Sequence, residues 1–219
     1  MTTMHVTNED LRDEVLTELD LDPSVASEHV AVTAEGGVVT LSGTVPTFFE
    51  KWAAEGAAKR VKGVKAVVER LDVDLVSGHL RDDADIARAV VDALAWDVTL
   101  PPTIQAMVRD GHVTLEGYVS WYYQRYNAAT TVRRIKGVRG LSNQIAIKAP
   151  VGATNVLTNI EAVFERDALL DAAGIEVEAE GPKVILKGSV RSWFERAEAT
   201  RAAWSVPGVS AVDNRLVVF

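Results

Sequence analysis

The hydrophobic pattern of the chain changes period in a fixed order, and it does so three times. Over residues 8–19, Leu11, Val15, Leu16 and Leu19 recur at helical spacing behind acids that crowd the first turn. That spacing predicts a helix with Asn8 as its N-cap, stopped at Asp22-Pro23. The period then falls to two. Val30–Thr33 and Val38–Val45 read as strands joined by a turn at Glu35-Gly36-Gly37. A second helical stretch over about 46–61 closes at Lys62-Gly63, and 65–76 reads as a last strand. The expected order is α-β-β-α-β.

The order returns with Asp82–Leu94, Ile104–Val108, Val113–Val119, Trp121–Ile135 and Leu141–Ile147. After a linker over 149–152 it returns again as Thr154–Arg166, Ile175–Ala179, Val184–Val190, Ser192–Val206 and Ala211–Val218. Single residues correspond as well. Gly43, Gly117 and Gly188 step by 74 and then 71 positions, and so do Gly63, Gly137 and Gly208. Such repetition fixes architecture before anything else. It predicts three units at 1–76, 77–149 and 150–219, each an α+β sandwich of αββαβ order with two helices on one face of a three-stranded sheet. The glycines read as backbone devices. Gly37, Gly111 and Gly181 suit hairpin turns, Gly63, Gly137 and Gly208 suit helix C-caps, and Gly43, Gly117 and Gly188 mark a bulge or a close backbone approach inside a strand.

The residues that carry the repeat are Gly37-Val-Val-Thr-Leu-Ser-Gly-Thr-Val45, Gly111-His-Val-Thr-Leu-Glu-Gly-Tyr-Val119 and Lys183-Val-Ile-Leu-Lys-Gly-Ser-Val190. Behind them come Phe48-Phe49-Glu50-Lys51, Tyr122-Tyr123-Gln124-Arg125 and Trp193-Phe194-Glu195-Arg196, then Gly-Val at 63, 137 and 208. This pattern resembles the BON domain, a bacterial module, in all three copies. Departures are Gly181-Pro182 in place of Gly36-Gly37 and Gln124 in place of an acid. The resemblance implies a non-enzymatic protein associated with phospholipid binding, envelope integrity, osmotic stress and attachment to larger membrane proteins. It also implies export.

Composition changes this picture only in part. With 47% hydrophobic and 25% charged residues the chain is ordinary for a soluble globular protein, and no apolar run approaches the ~20 residues of a spanning helix. The first ten residues have neither a basic nor an apolar stretch, which predicts a cytoplasmic location as written, or a periplasmic one if a leader precedes them. The absence of cysteine rules out disulfides and thiolate sites. A net charge of −8 speaks against nucleic acid as a partner, yet it is unevenly spread: the first unit carries −7, the middle one +2 and the third −3.

Candidate chemistry is sparse. His5, His29, His79 and His112 are scattered, and Asp82, Asp83 and Asp85 sit where acids stabilise a helix dipole. No catalytic residue, metal site or cofactor is expected. The second helices say more. Ala54, Ala57, Ala58 and Val61 form a small-residue stripe repeated by Ala128, Thr131, Val132 and Ile135 and by Ala199, Ala202, Ala203 and Val206. That stripe must face the sheet, so Phe48 and Trp52, Tyr122 and Tyr126, and Trp193 and Trp204 project to the other side. Either neighbouring units cover these aromatics or they form an exposed ridge. In the middle unit they combine with basic residues, and Trp121, Tyr122, Arg125, Tyr126, Arg133 and Arg134 are the candidate binding residues. The composition is that of an interfacial helix, for which the partner is an anionic phospholipid surface met weakly and peripherally. A protein partner, in a scaffold or chaperone-like role, is the alternative.

Overall fold

The computed structural model describes residues 7–74, 81–148, 156–166 and 174–219. His5, His79, the linker over 149–152 and the expected helix start at Thr154 lie outside them. The first unit comprises α1 (Asn8–Leu21), β1 (Val30–Glu35), β2 (Val38–Val45), α2 (Phe48–Arg60) and β3 (Ala66–Val73). The middle unit comprises α3 (Asp83–Trp96), β4 (Gln105–Arg109), β5 (His112–Glu116), β6 (Tyr118–Val119), α4 (Tyr122–Arg133), β7 (Gly140–Asn143) and β8 (Ala146–Ile147). The third comprises α5 (Val156–Arg166), β9 (Ile175–Glu180), β10 (Lys183–Val190), α6 (Trp193–Ser205), β11 (Ala211–Asn214) and β12 (Val217–Val218).

Each sheet has the hairpin's second strand at its centre. β2 pairs antiparallel with β1 and parallel with β3, β5 stands likewise between β4 and β7, and β10 between β9 and the β11–β12 pair. The parallel pairing needs a crossover, and the second helix supplies it. Its alanine stripe lies on the sheet: Ala54, Ala57 and Ala58 are fully buried, as are Ala128, Val132, Ala199 and Ala203. Leucine, isoleucine and valine from the first helices and the strands complete one core per unit. The described segments expected to be helix or strand are so within a few residues, but Val113–Val119, Leu141–Ile147 and Ala211–Val218 are each broken into two strands.

Three local features have clear causes, and the first departs from the expectation. Asn8 is not the N-cap of α1. Thr7 is, because its hydroxyl accepts from the Asp10 amide and the Asp10 carboxylate accepts from the Thr7 amide, both at 3.1 Å, in a reciprocal capping box. Asn8 instead accepts from the amide of Gly36 at 3.0 Å and ties the helix to the hairpin. In the third hairpin Gly181 occupies the place of Gly36, as the alignment of Gly181-Pro182 with Gly36-Gly37 implies. Glu180 faces Lys183 across it as Glu35 faces Val38, so Gly181 (φ 60°) followed by proline has the sign pattern of a type II′ turn, whereas Gly36-Gly37 and Asp110-Gly111 have both φ positive, as in type I′. The strand glycines Gly43, Gly117 and Gly188 have φ between 112° and 133°, and a Cβ on them would collide with the carbonyl oxygens of His29, Thr103 and Gly174. Close approach of the backbone just ahead of the first strand forces glycine at all three.

Candidate functional site

The second helices bring the three units together. Phe48 leaves its own unit to pack on the middle core, and Trp193 leaves the third to pack on the first. The Trp193 indole donates to the Lys65 carbonyl at 2.7 Å. Tyr122, at the corresponding position of the middle unit, packs on its own core and stacks on Trp204 of the third, with ring centroids 5.2 Å apart and planes within 9°. Unit one therefore leans on two and three leans on one, while at the middle–third junction Trp204 of the third unit packs on the middle core. Each unit thus touches the other two, and the three close into a ring. Most of the aromatics opposite the alanine stripe find cover in that way.

The polar pair that recurs in the motif turns out to be structural. Lys51 donates to the Leu71 carbonyl at 2.6 Å, Arg125 to the Asn143 carbonyl at 3.3 Å, and Arg196 to the Leu216 and Asn214 carbonyls at 3.0 and 2.9 Å. A cation at this position fastens each second helix to the last strand. Gln124 accepts from the Ser120 and Trp121 amides at 3.1 Å, so an amide serves the helix start as well as an acid would. Arg125, singled out in the sequence as a binding residue, is thus half-buried and engaged in its own unit.

Arg133 and Arg134 are engaged across a junction. The Arg133 guanidinium lies 4.7 Å from the ring centre of Trp52, and Arg134 lies 5.1 Å from that of Phe49, both in the first unit. Burial holds the Arg133 pKa below its ordinary value, and its buried Nη1 has no hydrogen-bond partner among the described residues. The basic end of α4 therefore serves the contact with unit one. Its aromatic end lies about eleven residues away, on the order of 16 Å along the axis.

At that aromatic end the structure opens a groove of about 470 Å³ between the middle and third units, lined by Trp121, Tyr122, Tyr123, Tyr126, Phe194 and Trp204. Glu198 and Arg201, paired with each other, add charge to the lining. Trp121, Tyr123, Tyr126 and Phe194 are 37–51% exposed, whereas burial raises the Tyr122 pKa above its ordinary value. Trp121 stands out for a second reason. It occupies the N-cap of α4, where the hydroxyls of Thr47 and Ser192 in the other units accept from the third helical amide; the indole cannot, and the Gln124 amide donates to the Trp121 carbonyl at 3.2 Å instead. An indole here forgoes about 1 kcal/mol of capping. Among the sequence-named residues, then, the structure brings Trp121, Tyr122 and Tyr126 into one groove and places Arg125, Arg133 and Arg134 elsewhere. Tyr123, Phe194 and Trp204 join the groove, and the repeat itself marks them: Tyr123 and Phe194 stand where Phe49 does.

Other candidates are accounted for locally. Asp83 accepts from the Asp110 and Gly111 amides at 2.8 and 2.9 Å, Asp82 caps α3, and Asp85 pairs with Arg88. His112 meets the Ser142 hydroxyl at 2.9 Å. Among the described residues no group of three or more His, Cys, Asp or Glu side chains is placed to hold a metal ion, and no helix is long and apolar enough to cross a membrane.

Comparison with known proteins agrees with the repeat. The model of the BON domain matches residues 7–74, 82–149 and 153–218. Osmotically-inducible protein Y of Escherichia coli (strain K12) is 28% identical over 130 residues, which are 57% of this chain and 65% of that protein. Two solved structures of CdsD, a structural protein of the type III secretion system of Chlamydia trachomatis, align over 96% of the chain and 92% and 98% of theirs, at 16% and 17% identity. Both have a TM-score of 0.26, too loose a superposition to bear on this chain's role.

Proposed function

Because the chain belongs to the BON domain family through all three of its units, we propose that it is a non-catalytic binding protein whose working surface is the aromatic groove between the middle and third units and whose partner is another protein. The observation that carries this reading is the groove itself: six aromatic side chains from two units converge on a concave surface, four of them substantially exposed. Aromatic anchors in such pockets dominate protein interfaces. The name of the Escherichia coli relative supports an osmotic-stress setting, and the family resemblance supports the cell envelope.

Peripheral contact with anionic phospholipid is the second reading, favoured by exposed Trp121, Tyr123 and Tyr126 on the one unit of positive charge, with Arg134 and Lys136 exposed on the same segment. Two features weigh against it. Arg125 and Arg133 are occupied within the molecule, and a net charge of −8 is repelled by an anionic bilayer.

Selection of displayed random peptides on the intact protein and on its Tyr123→Ala/Tyr126→Ala variant separates the two, run beside co-sedimentation with anionic vesicles at low and moderate salt. Peptides that need the two tyrosines, with no sedimentation, are the expected result. Sedimentation that fades with salt and is lost in the variant would transfer the surface to lipid. Peptides recovered equally on both proteins would remove the groove from the account.

A further inference from the structure

The ring allows each junction to be compared with the others position by position. Where the first unit meets the middle one, the aromatic faces of Trp52 and Phe49 are covered by the guanidinium groups of Arg133 and Arg134. The residues that correspond to Trp52 and Phe49 in the middle unit are Tyr126 and Tyr123, and those that correspond to Arg133 and Arg134 in the third are Trp204 and Ser205. The middle–third junction therefore keeps both aromatic platforms and lacks both cations. Trp204 turns its ring to Tyr122 instead, and Ser205 is too short to reach, its hydroxyl donating to the Ala202 carbonyl at 2.7 Å. Among the described residues no cation stands over Tyr123 or Tyr126, which are 51% and 45% exposed and line the groove together with Ser205.

We infer that the groove is completed by a guanidinium group supplied from outside, the arginine side chain of a partner, seated on Tyr123 as Arg134 is seated on Phe49, in the groove that Tyr126 also lines. This deepens the protein-binding reading and rests on it. A guanidinium is planar and weakly hydrated, so it stacks on an aromatic face where an ammonium prefers water. The site is wide enough for more than the head group, since its volume of about 470 Å³ falls within the range of ligand pockets. The protein's charge of −8 favours a cation over an anion in the same place. Glu198 already pairs with Arg201, so the aromatic faces, and not a free carboxylate, are what selects the ligand.

The test is a titration of the intact protein with N-acetyl-arginine amide, followed by the NMR ring resonances of Tyr123 and Tyr126, with N-acetyl-lysine amide as the control of equal charge. Saturable shifts with the arginine probe are expected, and binding of the lysine probe weaker by about fivefold or more. Ser205→Arg would restore the missing guanidinium from inside and should weaken probe binding by about tenfold, as should Tyr123→Ala/Tyr126→Ala. All three side chains are exposed, so the variants keep the core, which an unchanged melting midpoint verifies. No saturable shift, equal binding of lysine, or undiminished binding by Ser205→Arg would each overturn the inference. Groove-dependent displayed peptides without arginine, beside a silent titration, would overturn the guanidinium and leave the groove as the binding surface. A silent titration with no groove-dependent peptide would overturn both.

Discussion

The junction between the first and middle units and the junction between the middle and third are built from the same positions of the same repeat, yet one is filled and the other open. At the first, two arginines lie over a tryptophan and a phenylalanine. At the second, a tryptophan and a serine stand where those arginines would be, and two tyrosines keep their outer faces in solvent. The remaining junction shows a third solution. Arg60, which corresponds to Arg134, turns back onto Glu18 and Asp22 of its own unit, and the contact is made by Trp193 with the Lys65 carbonyl and the Lys59 ammonium. A repeat fixes the fold of each unit through its buried positions, while positions facing a neighbour drift toward closing a seam or leaving a surface.

The largest effect should come from the seam that closes the ring. Trp193→Ala removes a side chain packed on the first core and its hydrogen bond to Lys65, and should cost about 3 kcal/mol in urea denaturation. Next comes the direct comparison of counterparts. Trp52→Ala strips the platform under a guanidinium whose buried Nη1 is unpartnered among the described residues, and should cost about 2 kcal/mol. Tyr126→Ala, at the corresponding exposed position, should stay within about 0.5 kcal/mol. Equal costs would erase the distinction between a filled and an open junction.

A change of opposite sign sharpens it. Trp121→Ser gives α4 the hydroxyl cap that α2 and α6 already have, and should stabilise by about 1 kcal/mol while weakening whatever the groove binds. The smallest effect concerns acid. Burial alone would raise the Asp22 carboxyl, but hydrogen bonds from Arg60 and Ser24 outweigh it and hold the pKa below its ordinary value. The stability this contributes is present above the unfolded-state value near 4 and is lost as pH falls through the lower folded-state value. Asp22→Asn should therefore narrow its gap to the wild type as pH drops below about 4, measured by thermal melts across that window.

The fold was legible because its determinants are local and tripled. The period switch from Leu11–Leu19 to Val30–Val45 and the alanine stripe at Ala54, Ala57 and Ala58 each occur three times, so a misreading in one unit is corrected by the next. Glycine at 43, 117 and 188 was legible as a close approach, though not which carbonyl approaches. The site was less so. Composition grouped Arg133 and Arg134 with the aromatics of the same helix, but which neighbour each end meets is a property of the assembled ring. Arg125 belongs with Lys51 and Arg196, and its recurrence already pointed to a structural duty. Trp121 was the clearest signal, an aromatic at a position where the other units place a hydroxyl that the helix needs.

Tyrosine nitration with tetranitromethane, mapped by mass spectrometry, tests the unequal junctions most directly, because the four tyrosines all lie in the middle unit. Tyr118, Tyr123 and Tyr126 are 45–51% exposed and should be modified readily. Tyr122, stacked on Trp204 with its pKa raised by burial, should resist until Trp204→Ala uncovers it. Nitration of Tyr122 at the rate of Tyr123 in the wild type would contradict the covered stack, and with it the ring on which the open groove depends.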